Sequence, residues 1–237
     1  QGKIIWPDDQ PVSFTAGVKI TKNSEIYERF DNRAIASLTL KEAQKLPPIE
    51  VLADWINLRW LFFHDCRLDS SYTEGLDKLK YLQSLTFDHT KFDAEALVKL
   101  GLLRRLRSLQ LDQVEGHSII LQALEHSERL YHLELRDVTL SENDLKLVAS
   151  LPKLTQLDLR YAILPPAALR QLSTSKSLTS ICLDRAAYNP EWLFNLDKST
   201  CLRRVFVSPD KPNEEVLDRF RRQYPNITII RLEVKAL

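Results

Sequence analysis

The sequence predicts an α/β solenoid whose repeating unit is one strand, one turn and one helix. The first observation is a column of leucines that recurs every 24 residues through most of the 237-residue chain. The second is a pair of apolar columns between these leucines, three residues apart, which is the spacing of one helix face. Such a period is typical of repeat proteins, in which stacked units bury one continuous core. The leucine column consists of Leu58, Leu82, Leu106, Leu130, Leu154, Leu178 and Leu202.

The strand of each unit lies in a motif of the form LxxLxL. In LPKLTQLDLRYAIL (151–164), Leu154, Leu157 and Leu159 occupy its first, fourth and sixth positions. An earlier copy begins at Ile35, and a last copy arrives one residue late, with its fourth position at Ile230. Because side chains alternate along a strand, we expect the third, fifth and seventh positions to point away from the core.

Helix-start signals agree with the apolar columns between the motifs. Ser141 with Asp144 has the pattern of a capping box, and Asn189–Pro190 that of a cap followed by a first-turn proline. Asn213 precedes two glutamates, and Pro165 suits a first turn. We expect helices of two or three turns. The columns are Leu52, Leu76, Leu100, Leu124, Val148, Leu172, Leu196 and Phe220, and, three residues earlier, Leu97, Leu121, Leu145, Leu169, Leu193 and Leu217.

Four copies show the repeat most clearly: LRWLFFHDCRL (58–68), LRSLQLDQV (106–114), LYHLELRDVTL (130–140) and LTQLDLRYAIL (154–164). These motifs resemble the leucine-rich repeat family, and the likeness covers roughly residues 35–234 in about nine copies. The resemblance implies a curved, horseshoe-like arc. Strands are spaced about 4.8 Å apart and helices about 8–10 Å, so we expect the parallel sheet on the concave side and the helices on the convex side.

The ninth position of the motif departs from the family pattern. The family usually has asparagine or cysteine there, and only Cys66 matches among Ala43, Cys66, Thr90, Val114, Val138, Ala162, Ala186 and Asp210. The usual asparagine ladder, which satisfies backbone groups of the turn, is therefore missing. Small and β-branched residues at this position resemble the shorter, helix-bearing bacterial type of repeat.

The first 34 residues differ from the repeats in composition and phase. The segment VSFTAGVKI (12–20) fits either a hairpin or a first irregular strand, and SEIYERFD (24–31) fits a helix. A stack of repeats exposes apolar surface at its ends and needs caps. We therefore predict an N-terminal cap over residues 1–34 and a leucine-rich repeat domain of about nine repeats over residues 35–237.

Composition excludes several classes of function. Lys and Arg number 33 against 32 Asp and Glu, so the net charge of +1 gives no long-range field toward nucleic acid or an anionic membrane. With five glycines, the sequence has no GxGxxG, Walker A or HExxH motif, so we predict no cofactor. Three cysteines are too few for a disulfide framework, which favours a cytoplasmic compartment. No apolar run of 18 residues and no signal peptide are present, so we predict no membrane insertion, and an extracytoplasmic location stays open if a leader or anchor was removed.

The third, fifth and seventh positions of the motif can vary without disturbing the core. We therefore expect them to carry the functional information, as a partner-binding surface on the concave sheet. The candidates on this surface are Trp60, Phe62, His64, Asp88, Asp112, His132, Glu134, Arg136, Asp158, Arg160, Asp184, Arg204 and Phe206.

Two features of this surface have two interpretations each. Trp60 and Phe62 lie on one strand with His64, and exposed aromatics beside polar residues are typical interface anchors. The alternative interpretation is that Trp60 and Phe62 pack beneath the N-terminal cap or a loop.

The second feature is a charge ladder, which also has two interpretations. Its residues either pair with one another, at about 1 kcal/mol or less per pair, or bind a partner of complementary charge. We expect a mixture in which self-pairing has the larger share. The ladder comprises Glu134, Arg136, Asp158, Arg160 and Asp184, flanked by Asp88 and Asp112.

Neither catalysis nor a metal site is predicted. Cys182 should be exposed on the concave face, but its lateral neighbours Asp158 and Phe206 include no base that would activate a thiol. His64 and Asp65 are consecutive and should splay apart, although they lie near Asp88 and His89. The sequence lacks a dedicated ligand spacing. Cys66 should be buried.

The basic runs LLRRLR (102–107) and DRFRRQY (218–224) fit solvated helix faces better than a nucleic-acid site. The resemblance implies a non-enzymatic module that binds a protein or peptide on its concave face. Two alternatives are a structural or assembly scaffold that makes contact by its caps or edges, and the recognition domain of a larger multidomain protein. An enzyme is the weakest hypothesis, and the oligomeric state is left open.

Overall fold

The computed structural model describes residues 12–17, 24–43, 45–209 and 213–232. The chain divides into an N-terminal unit, Gln1–Ile120, and a C-terminal unit, Leu121–Leu237. Within each unit, parallel strands follow one another in chain order, and a helix or turn connects each strand to the next. The α/β repeat architecture predicted from the leucine period is thus present in both units.

The described residues of the N-terminal unit form five strands, and equivalent positions of successive repeats are partners. Leu61 pairs with Leu85, and Leu85 pairs with Leu109, so the 24-residue period sets the register. The first strand pairs in parallel with the second, with a register shift after Val12, which fits the irregular strand. Residues 18–20, which the hairpin alternative also involves, lie outside the described part of the chain. The strands are β1 (Val12–Ala16), β2 (Ile35–Lys41), β3 (Trp60–His64), β4 (Ser84–Asp88) and β5 (Ser108–Asp112).

In the C-terminal unit, the part of the chain that the structure describes also forms five parallel strands in the same register. Val205 pairs with Ile229, so the last strand keeps the 24-residue step, and our placement of Ile230 at the fourth position was wrong. Pairing of the backbone outweighs the apolar pattern at this last strand, where Ile229 and Ile230 are both only partly buried. The strands are β6 (His132–Arg136), β7 (Gln156–Asp158), β8 (Ser180–Cys182), β9 (Arg204–Val207) and β10 (Thr228–Arg231).

The helices are shorter than predicted, because a 24-residue repeat also has to hold a strand and two turns. Most have four to seven residues, and several are 3₁₀ helices, whose tighter turns suit short pieces. The α-helices are α1 (Ile49–Ala53), α2 (Ser70–Gly75), α3 (Ala94–Val98), α4 (Leu102–Arg105), α5 (His117–Ala123), α6 (Glu142–Ser150), α7 (Ala168–Leu172) and α8 (Glu214–Gln223). The 3₁₀ helices are Ser24–Arg29, Leu76–Lys78, Leu124–His126 and Pro190–Leu196.

Side-chain caps start several of these helices. The Ser141 hydroxyl accepts a hydrogen bond from the Asp144 N–H at 3.1 Å, and the Asp144 carboxylate accepts one from the Ser141 N–H at 2.8 Å, which confirms the capping box. Asn213 caps α8 through the Val216 N–H at 3.0 Å. Pro165 precedes the helix start, since α7 begins at Ala168.

The core of each unit lies between its strands and its helices. On the strand side, the side chains at the fourth and sixth motif positions of β2 to β9 are buried. In the N-terminal unit, Phe63 stacks on Phe87 with ring centroids 5.7 Å apart. On the helix side, one leucine column is at most 1% exposed and contributes about 1.5–3 kcal/mol per side chain. That column is Leu97, Leu121, Leu145, Leu169, Leu193 and Leu217.

A left-handed residue follows the seventh position in seven of the described turns, and none of these residues is glycine. In the N-terminal unit, the Asp65 N–H donates to the Asp88 carbonyl and the His89 N–H to the Asp112 carbonyl, both at 3.0 Å. These bonds between repeats satisfy turn backbone groups without an asparagine ladder, and the buried Cys66 N–H donates to the Thr90 hydroxyl at 3.2 Å. The left-handed residues have φ between 48° and 60° and are Glu42, Asp65, His89, Gln113, Asp137, Tyr161 and Arg185.

Replacing Gln113 by glycine should raise the free energy of unfolding by up to about 1 kcal/mol. Gln113 is exposed and has a φ of 49°, a conformation that costs a non-glycine residue about 1–2 kcal/mol. The extra unfolded-state entropy of glycine offsets about 0.5–1 kcal/mol of that relief. Denaturant unfolding measures the change. Lys146→Gly on the exposed face of α6 is the control and should lose about 1 kcal/mol. Equal losses in both variants would contradict the prediction.

Candidate functional site

The third, fifth and seventh motif positions form one surface in each unit, which we call the open sheet face. Leu61 and Phe63 of β3 are fully buried, whereas Trp60 on the opposite side is 44% exposed. Register places equivalent residues side by side, as in the row His64, Asp88 and Asp112. The open sheet face therefore carries, in the N-terminal unit, Trp60, Phe62, His64, Asp88 and Asp112, and in the C-terminal unit, His132, Glu134, Arg136, Asp158, Arg160, Asp184, Arg204 and Phe206.

Trp60 and Phe62 are the apolar feature of this face in the N-terminal unit. Trp60 and Phe62 have small side chains as partners on both neighbouring strands, β2 and β4. On β4, Ser84 lies beside Trp60 and Thr86 lies beside Phe62. Ser84 and Thr86 are only 8% and 6% exposed, because their short side chains lie beside the much larger rings of Trp60 and Phe62. Within the described residues, the small neighbours leave the indole of Trp60 accessible rather than packed beneath a cap.

Five polar residues next to this pair form what we call the His-Asp cluster: His64, Asp65, Asp88, His89 and Asp112. The two oxygens of Asp88 contact two imidazoles, with Oδ2 2.5 Å from His64 Nδ1 and Oδ1 2.5 Å from His89 Nδ1. His64 Nε2 also lies 3.1 Å from Asp65 Oδ2, so our expectation that these consecutive residues splay apart was wrong. The physical reason is the left-handed conformation of Asp65, with φ 51°, which breaks strand alternation.

The cluster attracts positive charge. Burial by itself would raise the pKa of Asp88, but hydrogen bonds from His89 and His64 outweigh it and lower the pKa below its usual range. The hydrogen bond to Asp88 raises the pKa of His89, and the charges of Asp88, Asp112 and Asp65 raise it further. Ligand atoms of Asp88, His89 and Asp112 all lie within 4.8 Å of one another.

In the C-terminal unit four members of the charge ladder pair with one another, and together with His132 they form what we call the charge network: His132, Glu134, Arg136, Asp158 and Arg160. Arg136 contacts Glu134 closely and lies 3.0 Å from Asp158 Oδ2. Arg160 donates two hydrogen bonds to Asp158 Oδ2, one from Nε at 2.8 Å and one from Nη2 at 2.6 Å. His132 Nε2 lies 3.3 Å from Glu134 Oε1.

Burial acts differently on the two carboxylates of the charge network. Burial would raise the pKa of Asp158, but hydrogen bonds from the Arg160 side chain and backbone lower it overall. The pKa of Glu134 is raised, because burial exceeds the attraction of Arg136. The hydrogen bond with Asp158 raises the pKa of Arg160. The network is therefore centred on Asp158, and its arginines already have partners.

Beside this network, the open sheet face of the C-terminal unit has a depression of about 260 Å³. Arg160, Cys182 and Phe206 line it together with His132 and Gln156. Arg204 is exposed at the start of β9, and Asp184 is partly exposed beyond the end of β8. Phe206 forms an apolar part of the hollow together with Leu157 and Leu232.

Cys182 and Cys66 are shielded from solvent to different degrees. We expected Cys182 to be exposed, but its side chain is half-buried. Burial raises the pKa of its thiol to about 11. A thiol with that pKa is almost wholly protonated at neutral pH, and the thiolate is the nucleophile. Cys66 is buried as predicted and donates toward the carbonyls of Leu40 and His64 at 3.3 Å.

Exposed apolar residues at the strand ends of the C-terminal unit were missed by the sequence reasoning. Tyr161 is 47% exposed and Ile163 is 53% exposed, and the Arg185 guanidinium lies 5.6 Å from the Tyr161 ring centroid. The sequence did indicate that Ile163 is exposed, because the residues at the equivalent position of the four preceding repeats are polar. Its members there are Arg67, Lys91, Glu115 and Thr139.

Both basic runs lie largely on helices and pair with nearby acids. Arg105 lies 3.2 Å from Asp77, and Arg219 lies 3.1 Å from Glu191, with all four side chains at least one-third exposed. Such pairs fit the solvated helix faces predicted for these runs. Across the described residues, none of the helices has both the length and the apolar character needed to cross a bilayer.

Comparison with known proteins adds information on the fold. No protein-family model and no curated protein matches the sequence. Among solved structures, an internalin (InlF) from Listeria monocytogenes matches with a TM-score of 0.50 and 17% sequence identity, over 84% of this chain. The chain has the leucine-rich repeat fold. This leucine-rich repeat chain spans 61% of the length of that internalin, and the likeness is one of fold.

Proposed function

We propose that this chain is a non-enzymatic interaction module that binds a protein or peptide on its open sheet face. The observation that carries the proposal is Trp60, which is 44% exposed on a strand whose inward side chains are fully buried. Large exposed aromatics on a rigid strand are typical anchors of interfaces, and tryptophan is enriched among residues that dominate binding energy. Phe62 extends the same apolar strip.

The neighbouring charges indicate the chemistry of the partner. The His-Asp cluster begins two residues after Phe62, at His64, and continues sideways to Asp88 and Asp112. An apolar anchor beside a cluster with three carboxylates favours a partner segment with an aromatic or aliphatic side chain followed by lysine or arginine. In the C-terminal unit the charge network is already self-paired, so it should contribute less to affinity.

Two further observations support a binding role over catalysis. The variable residues of the open sheet face stand between scaffold leucines, so they can change without cost to the core. The thiol of Cys182, the nucleophile nearest to the hollow on this face, has its pKa raised by burial to about 11.

A second candidate function is assembly through the strand ends. Tyr161 and Ile163 expose about half of their surface, and Arg185 stacks on the tyrosine. Aromatic and arginine side chains grouped in this way are enriched at interfaces. In this role the open sheet face would be merely solvated.

Affinity capture from the native source followed by titration with the purified partner tests both candidates. Trp60→Ala with Phe62→Ala should weaken binding by at least about tenfold, as loss of a hot spot does. The matched control is Tyr131→Ala, because Tyr131 is also 44% exposed but occupies the second motif position, off the face. It should bind like the wild type.

The outcome that contradicts the face proposal is a partner that binds the Trp60 and Phe62 variant as tightly as the Tyr131 variant. If Tyr161→Ala with Ile163→Ser alone abolishes capture, assembly through the strand ends takes its place. Circular dichroism checks that each variant is folded.

A further inference from the structure

We propose that Asp88, His89 and Asp112 form a binding site for a divalent transition metal of the zinc type. Their ligand atoms, one imidazole nitrogen and two carboxylate oxygens, lie within 4.8 Å of one another. Zinc binds such nitrogen and oxygen donors at about 2.0–2.2 Å, and three protein ligands leave a fourth position for water or a partner's side chain. The site is independent of whether the open sheet face binds a protein.

The backbone places these three residues on a rigid frame. Asp88 and Asp112 end the adjacent strands β4 and β5 and are direct partners in the register. His89 follows Asp88 with a φ of 49°, and its Nδ1 lies 2.5 Å from Asp88 Oδ1, so its imidazole lies over the carboxylates rather than on the other side of the strand.

A supporting chain of contacts holds the central ligand. The second oxygen of Asp88 lies 2.5 Å from His64 Nδ1, and His64 Nε2 lies 3.1 Å from Asp65 Oδ2. Metal-ligating carboxylates are characteristically hydrogen-bonded by such outer residues, which fix their orientation. His64 is therefore a positioning residue for the site, with Asp65 behind it.

Access and charge also fit a cation. The His89 side chain is 46% exposed and the Asp88 side chain 25% exposed, so an ion can enter from solvent. A proton shared between His89 Nδ1 and Asp88 Oδ1, which lie 2.5 Å apart, would occupy the place that a metal takes. Metal has to displace that proton, so affinity should fall as pH falls.

The test is titration of the full chain, without a histidine tag, with Zn²⁺ by calorimetry and with Co²⁺ by visible absorption. We expect one metal per chain and d–d bands typical of low coordination number. His89→Ala and Asp112→Asn should each abolish the bands. His64→Ala should weaken binding by about 10–100-fold while keeping the shape of the spectrum, as loss of an outer residue does.

His126→Ala is the matched control, because this histidine is exposed in a 3₁₀ helix far along the sequence, and its removal should change nothing. The proposal is overturned if the wild type binds neither metal, or if His89→Ala binds as tightly as His126→Ala. A thermal unfolding midpoint that rises with Zn²⁺ in the wild type and in His126→Ala, but not in His89→Ala, would support the site independently.

Discussion

Replacing Phe87 by alanine should lower the free energy of unfolding by about 3–5 kcal/mol, the largest effect that we expect of any single substitution. Phe87 is fully buried, stacks on Phe63 at 5.7 Å and lies 4.0 Å from the ring of Phe92. Alanine removes the transfer free energy of the ring and leaves a cavity. Backbone strands on both sides prevent the cavity from collapsing fully.

Denaturant unfolding followed by circular dichroism measures this loss. Tyr131→Ala, which removes an aromatic ring that is 44% exposed, is the control and should change stability by no more than about 0.5 kcal/mol. A loss for Phe87→Ala as small as that of the control would mean that the stacked phenylalanines are not a tightly packed part of the core.

Replacing Asp158 by asparagine should cost about 2–3 kcal/mol, because it removes the carboxylate that links Arg136 and Arg160. Both arginines would keep their charge, Arg160 would lose its carboxylate partner Asp158, and Arg136 would keep its contact with Glu134. The matched control is Glu134→Gln in the same network, since the two carboxylate side chains are 12% and 11% exposed. Burial already disfavours the charge of Glu134 and raises its pKa, so this change should cost less.

The pH dependence of stability should separate the two carboxylates. The folded-state pKa of Asp158 is lowered, so its stabilising contribution is fully present above the unfolded value of about 3.9 and is lost as pH falls through the folded value. The penalty of Asp158→Asn should therefore shrink at acidic pH. The folded-state pKa of Glu134 is raised, so its pH dependence has the opposite sign. The contribution of Glu134 to the free energy of unfolding declines as pH rises through the folded-state pKa. A penalty for Asp158→Asn that is constant from pH 7 to pH 3 would contradict this account.

Self-pairing has a functional consequence. In the C-terminal unit, both arginines of the charge network are engaged with Asp158 or Glu134, so a partner would have to break existing contacts to use them. In the N-terminal unit, the Asp88 carboxylate contacts the imidazoles of His64 and His89. The N-terminal unit therefore combines the exposed aromatic anchor with a cluster of carboxylates and imidazoles, which is why the anchor of the proposed binding surface and the proposed metal site both lie there.

Several features of the fold were predictable from single residues and their spacing. The register of Leu61, Leu85 and Leu109 follows from the 24-residue period, because equivalent residues of stacked repeats pair. The caps at Ser141 and Asn213 were predictable as well, since they depend on residues only three apart. The helix type was not, because four- to seven-residue pieces have too few hydrogen bonds to prefer α over 3₁₀ geometry by sequence alone.

The candidate site was predictable only as a face. Alternation along a strand assigns Trp60, Phe62 and His64 to one side, and the structure places them there. Alternation fails at the next residue, because Asp65 and its equivalent His89 adopt left-handed conformations without being glycine. Their side chains join the face through tertiary contacts, so the His-Asp cluster could not be assembled from sequence spacing.

The sequence by itself determined the repeat, the buried columns and the side of the sheet that is free to vary, because each of these follows from local periodicity and from the burial of apolar side chains. Only the tertiary structure decided which polar residues meet. Whether Arg136 reaches Asp158, or His89 lies beside Asp88, depends on rotamers and on turn dihedrals set by neighbouring repeats. Those contacts decide that the charges of the C-terminal unit satisfy one another, while the N-terminal unit keeps an exposed tryptophan beside a cluster of carboxylates and imidazoles.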